Sequence, residues 1–415
     1  MIAVGTSVVS DGTRRLCLAA GLVGALAFVA GLVLNGVRAW QALLVNFLFF
    51  GGLAQAGVVI SAIMQVTSSR WGRGLKRTAE ATAGFFPVSF VLLLVLLGGV
   101  AAWAPWVHDP VEAKAPWLNV PFFVTRQLLG FLLLTGLSLR YVYRSLRPDI
   151  GQLDQSGEHP ATGLSRRLIA GWQGIHRERL TAQTAQDRLA PAVLIGYGWI
   201  FTLVAFDFFM SLDPHWFSTL AGGYYFIGNL FIGIAFMCLV AVWSQRELKL
   251  DAYIGRHQLH DIGKLLFGFS ILWAYLFWSQ YLVIWYGDLP EETEFIYHRM
   301  HGAWAPVAWT VFAMAFVIPF VVLLSRAVKT NTRGLTAIAL IAFVGMWLER
   351  FILVSPSLWD GEGVPLGVVE ILVTLGVAGL FAWSYTTFLQ TFPVLPLADP
   401  RLEPATAHPH AHDLR

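Results

Sequence analysis

The chain has 415 residues, 56% of them hydrophobic and only 13% charged, with 30 Phe, 17 Trp and 11 Tyr. A charged fraction about half that of soluble domains excludes a water-soluble enzyme, and a net charge of +3 with basic residues sorted along the chain excludes a nucleic-acid partner. Cys17 and Cys238 stand alone in apolar runs, so the chain offers no disulfide framework, haem attachment or iron–sulfur cradle, and any redox metal belongs to partners.

Ten apolar stretches are long enough to cross a hydrocarbon core of about 30 Å. They predict helices at about 16–35, 41–65, 80–105, 122–145, 190–212, 217–244, 262–287, 302–326, 334–356 and 364–390. The first follows Arg14 and Arg15 but lacks a small-residue cleavage site, so it reads as a retained helix rather than a signal peptide. The expected fold is an all-α integral membrane protein with one transmembrane domain over 1–400. A disordered tail, 401–415, follows, carrying His408, His410 and His412.

With the N-terminus inside, 23 of the 28 Lys and Arg fall on the inner side, four fall outside, and Arg350 lies within a span. That asymmetry orients the chain in a bacterial inner membrane with both termini cytoplasmic. The loop 146–189 is then cytoplasmic; within it Leu164, Leu168, Trp172 and Ile175 recur at helical spacing beside arginines, which suits a helix on an anionic leaflet.

An internal repeat is visible. Asp207–Pro214 (DFFMSLDP) aligns without gaps on Glu349–Pro356 (ERFILVSP), and Trp40 precedes Arg70 as Trp216 precedes Arg246, by 30 residues. Spans two to five (about 41–212) and six to nine (about 217–356) then form two four-helix bundles in the same orientation, a parallel repeat with two peripheral helices.

Polar groups at membrane depth are functional candidates by default. Asp207 and Glu349 lie about 10 Å, seven residues of helical rise, below their outer prolines. Arg350 neighbours Glu349, Gln280 shares a stripe with Trp273, Phe277 and Ile284, His298 and His301 open span eight, and Glu370 starts span ten. Asp213 and His215 form the turn after span five. The inner half offers mainly Lys264 and Gln65, with Thr135 and Thr202 deeper, an asymmetry expected of a site that takes protons from a lipid-soluble substrate and releases them outside. Glu349 and Arg350, being consecutive, are expected to pair with other spans rather than with each other. No metal ligation is expected of His298 and His301, and Trp40, Trp216, Trp285 and Trp359 read as an interfacial belt.

The strings RAWQALLVNFLFF (38–50), RWGRGLKRTAE (70–80), MSLDPHWFST (210–219), YLVIWYGDLPEETEFIYHRM (281–300) and ERFILVSPS (349–357) resemble the membrane subunits of alternative complex III. That is a bacterial quinol:cytochrome c oxidoreductase within the NrfD-like, polysulfide-reductase membrane-subunit superfamily. The resemblance covers about 16–392 and is greatest to the second of that complex's two ten-span subunits. It implies ten helices and quinol, menaquinol or ubiquinol, as the bound cofactor, oxidised at the outer side with no haem or iron–sulfur centre held by this chain. It also implies partners: a paralogous ten-span quinol-binding subunit, an extracytoplasmic iron–sulfur subunit, c-type haem subunits and small membrane subunits.

Within that reading Asp207, Glu349, Asp213 and His215 are expected proton acceptors or relays, supported by Arg350, His298, His301 and Glu370, with Gln280 and Trp285 at the quinol. The resemblance gives the longer paralogue the working quinol pocket and the second subunit a proton path. Three readings therefore compete: a subunit that binds quinol and accepts its protons, a proton-translocating or structural subunit without its own quinol, and a secondary transporter. The last is disfavoured by parallel repeats.

Overall fold

A computed structural model describes residues 9–405. Among them the regular elements are all helices, with no strand, and nine helices are long and apolar enough to cross a membrane. The histidines of the tail lie outside the described residues.

The longest of the nine, Asp11–Val66, covers two of the expected spans. It breaks at Asn35, whose backbone leaves helical geometry (φ −159°, ψ 92°). A Cβ on Gly31 would sit 3.0 Å from the Ala39 Cβ, although the two are eight residues apart. A straight helix would separate them by about 12 Å, so the chain doubles back. The Asn35 carboxamide accepts the Arg38 N–H at 3.3 Å and caps the returning arm. We denote the arms α1 (11–34) and α2 (36–66).

There follow α3 (Arg73–Gly98), α4 (Val120–Ser156), α5 (Ile175–Leu212), α6 (Ala221–Glu247), α7 (Arg256–Gly287), the short α8 (Pro290–Met300), α9 (Gly302–Leu323), α10 (Thr332–Val354) and α11 (Val368–Thr391). The central helix is α6, buried along most of its length and packed on α2, α5, α7 and α10. At the side, α1 lies along α11. There a Cβ on Gly24 would fall 2.6 Å from the Gly376 Cα, so only glycine permits this approach.

The helices share two ends. At one, which we term the basic end, Arg14 bonds Thr387, Arg246 bonds Thr332 and Arg70 pairs with Glu403. At the other, Arg38 pairs with Glu370, Lys114 reaches the Pro214 carbonyl and Arg299 reaches Ser357. After α11 the chain crosses the basic end as a strap. Asp399 lies 3.1 Å from both Arg73 and Lys76, and the Ala405 N–H donates to the Ala252 carbonyl at 2.7 Å, so residues 401–405, expected to be disordered, are held.

The loop at the basic end is shorter than its hydropathy suggests, because α4 runs to Ser156 and α5 starts at Ile175. The expected surface helix is reduced to Gly163–Leu168. Gly174 (φ +92°) breaks the pattern there, and Trp172 packs on Gly151 instead of facing a membrane surface.

Candidate functional site

The last turns of α10 carry Glu349 and Arg350, both 1% exposed or less. The Arg350 Nη1 donates to Glu349 Oε2 at 2.5 Å, so the neighbours do pair, contrary to the expectation from their helical spacing. About 100° between consecutive residues fixes only where the Cα–Cβ bonds point. The long arginine side chain bends back, held by the Tyr225 carbonyl at 3.2 Å, the Asn229 Oδ1 at 3.0 Å and the Tyr225 ring. The second carboxylate oxygen, Glu349 Oε1, has no hydrogen bond of normal geometry. Tyr224 and Trp273 direct their polar groups at this carboxylate, yet the buried Trp273 Nε1 is likewise left without a bonded partner.

Glu349 faces a cavity of about 370 Å³ walled by α7, α8, α9 and α10. Its lining is largely aromatic, including Trp273, Phe277, Tyr281, Phe295, Trp309 and Phe312, with Gln280 and Arg299 as further polar groups. This volume lies within the roughly 300–1,000 Å³ typical of small-molecule sites, as does the combination of apolar walls with few polar groups. Trp278 and Trp309 are 53% and 60% exposed on the apolar faces of α7 and α9, so they mark the side of the cavity toward lipid. Beside it, α9 carries a π turn at Ala313–Val317, a distortion of the kind often found at functional sites.

On the cavity wall nearest the loops, Arg299 is 6% exposed and stacks on the Phe295 ring at 3.4 Å. Its guanidinium donates to the carbonyls of Phe295 and Leu353 and to Ser357, with no ion pair among the described residues and with Nε unbonded. Burial pushes its pKa down to about 9, against the opposing pull of Asp213, so it stays cationic at neutral pH.

The acid that aligns with Glu349 in sequence is differently placed. Asp207 accepts both Arg126 Nε and Nη2 at 2.6 Å, together with Gln127 and, at 3.1 Å, the Trp117 indole. Arg126 is further covered by the Trp117 and Phe122 rings. Every carboxylate oxygen of Asp207 is therefore engaged, in a bidentate buried pair. The nearest cavity, about 50 Å³, is lined by Gln55, Ser89, Gln127 and Thr135 and bordered by Tyr225.

The remaining candidates scatter. Glu370 forms a bidentate pair with Arg38 at 2.7 Å and caps its own helix through Gly367, so it is engaged in tying α1 and α2 to α11. Asp213 shapes the turn that brings Trp216 back, while His215 is exposed. His298 lies 3.7 Å from Glu294 on the outside of α8, and His301 stacks on Tyr297, both away from the cavity. Trp285 is 60% exposed and does not line the cavity, whereas Gln280 does. Trp216 is buried and stacked on Phe295 at 3.7 Å, so it belongs to the wall behind the cavity rather than to an interfacial belt. Among the described residues no group of three or more His, Cys, Asp or Glu could hold a metal.

The basic half is richer in charge than expected. Arg77 pairs with Glu80 and with Asp149, Ser61 bridges Glu80 and Tyr141, and Lys76 bonds Gln186, all of them buried. The expected span begins only at about residue 80, whereas Arg73, Lys76 and Arg77 lie in the first turns of α3. Comparison with protein-family models and with curated proteins finds no match for the chain.

Proposed function

We propose that the chain is a membrane subunit that receives a lipid-soluble hydroquinone at the end opposite its basic loops. More specifically, we infer a subunit of a quinol:cytochrome c-type oxidoreductase complex of the alternative complex III kind. The observation that carries this reading is the lipid-facing aromatic cavity in which a buried carboxylate, Glu349, keeps one oxygen without a hydrogen bond of normal geometry. A hydroquinone bound there would give up two electrons, which an iron–sulfur centre of a partner subunit would accept, and two protons, the first to Glu349 and the second to the outer aqueous phase. The chain's own residues bind the ring between Trp273, Phe277 and Phe312, exclude water, and accept the hydroxyl proton at Glu349 Oε1.

In this reading the cavity opens at the outer face of a bacterial inner membrane, which the positive-inside asymmetry supports, and the chain crosses ten times, counted through the Asn35 hairpin. Spans two to five and six to nine form the two bundles of the repeat. Only the second keeps an accessible acid, since Asp207 in the first is closed by Arg126 and Gln127. The proton-translocating alternative draws support from one observation, the charged and hydroxyl groups buried from Asp149 through Glu80, Ser61 and Tyr141.

The complex is tested by purifying the tagged chain from its native membranes and assaying quinol:cytochrome c reduction. Co-purifying c-type haem and iron–sulfur subunits with quinol-dependent activity are expected. A chain that purifies without redox partners contradicts the assignment.

A further inference from the structure

Three buried polar atoms of this cavity lack a hydrogen bond of normal geometry: Arg299 Nε, and Glu349 Oε1 and Trp273 Nε1, which act on each other with Tyr224 beside them but without good alignment. Buried polar groups are nearly always satisfied, so such a cluster marks the place of a ligand with matching groups. The three are of unlike kind. Glu349 is an acceptor, whereas Trp273 and Arg299 are donors. A hydrocarbon tail or a carotenoid-like ligand would leave all three unmet, and a phosphate would meet the donors but face repulsion from the carboxylate.

Arg299 is also held in an unusual way. Its Nη atoms are consumed by the Phe295 and Leu353 carbonyls and by Ser357, which fixes the plane of the guanidinium against the Phe295 ring. Leu353 lies one helical turn beyond Glu349, and both residues line the cavity. The cation and the carboxylate thus stand at different depths along one wall; Asp213 acts on Arg299 from a distance, but no carboxylate forms an ion pair with it among the described residues.

We propose that Arg299 is the oxygen-anchoring residue of this cavity. Resting on the quinol reading above, a hydroquinone enters from the lipid past Trp278 and Trp309, lodges one ring oxygen on the Arg299 Nε–H, and turns its other hydroxyl to Glu349 Oε1. The oxidised quinone keeps the contact with Arg299 but has no proton to give Glu349. The two residues therefore make different predictions for the two redox forms, which a merely structural role for either would not.

The test uses the full chain in quinone-free phospholipid nanodiscs, titrated with menadiol and with menadione while tryptophan fluorescence quenching is followed. Arg299→Gln weakens both forms about tenfold to a hundredfold, the scale of one charge-assisted hydrogen bond. Arg299→Lys, which keeps the charge and guards against loss of the α8 anchor, recovers part of that loss. Glu349→Gln weakens menadiol more than menadione. Unchanged menadione affinity in a folded Arg299→Gln chain overturns the proposal, as does displacement of neither form while added anionic phospholipid protects the wild-type fluorescence. The two readings separate in the assembled complex. If Arg299→Gln abolishes turnover without changing affinity, the anchoring role falls and the quinol reading stands. If binding depends on Arg299 while turnover does not, the anchor stands and the cavity is removed from the catalytic path.

Discussion

Replacing Asp207 by Asn separates a structural acid from a working one. The carboxylate accepts two bonds from Arg126 and one each from Gln127 and Trp117, and it is fully buried. An amide of the same shape keeps the Trp117 bond but leaves the guanidinium of Arg126, 9% exposed, without a counter-charge. Breaking a buried pair from one side costs about 3–5 kcal/mol. With about 2 cal/mol/K of unfolding entropy per residue, that cost lowers Tm by about 4–6 °C for a chain of this size. Thermal unfolding in detergent, followed by tryptophan fluorescence, reads the shift. Replacing Arg126 by Leu as well removes the stranded charge and returns most of the loss. Quinol turnover per assembled complex stays near the wild-type value at temperatures where the variant is folded. An Asp207→Asn protein with wild-type Tm and no proton release would refute this reasoning and make Asp207 a relay.

Two further outcomes follow from the packing. Gly24→Leu drives a side chain into the Gly376 backbone and separates α1 from α11. The overpacking costs about 1–3 kcal/mol and appears as faster hydrogen exchange in α1 with the cavity helices unchanged; exchange no faster than wild type refutes the close contact. The strap gives a pH dependence. Burial pushes Asp399 up, but Lys76 and Arg73 together outweigh it and hold the carboxyl below its ordinary value. A depressed carboxylate pKa stabilises the folded state above the unfolded value of about 3.9, and that contribution is lost as pH falls through the folded value. Limited proteolysis of 392–405 therefore stays slow from pH 7 down to about 4 and accelerates below it, whereas Asp399→Asn is cleaved readily at every pH.

Much of the architecture was legible because lipid imposes a simple rule: every spanning segment must be helical and apolar. The hairpin at Asn35 shows the limit, since a single extended residue joins two spans that hydropathy separates by five. Charge was the poorer guide. Hydropathy counting gave Arg73, Lys76 and Arg77 to a loop, yet each is buried against Asp399, Gln186 or Asp149, because an ion pair can be hidden where a lone charge cannot.

For the site, the stripe of Trp273, Phe277 and Gln280 was readable from spacing, and Glu349 from depth. What spacing could not supply was which acid is free. Asp207 and Glu349 align in sequence, and the placement of Arg126 on α4 and Gln127 beside it decides that the first is closed. Arg299 was counted as one outer charge among four. Its role depends on α8 folding back over the bundle, a tertiary event that no local pattern in PEETEFIYHRM encodes.

The central claim is that Glu349 takes the proton of a hydroquinone at the lipid-facing cavity. The most direct measurement is quinol-driven cytochrome c reduction, with outward proton release recorded in parallel, by the reconstituted complex carrying Glu349→Gln and checked for full subunit content. The account predicts that electron transfer falls by two orders of magnitude or more, about 10²–10⁴-fold for loss of a general base, and that proton release falls with it. Wild-type electron transfer in the intact variant complex would contradict it.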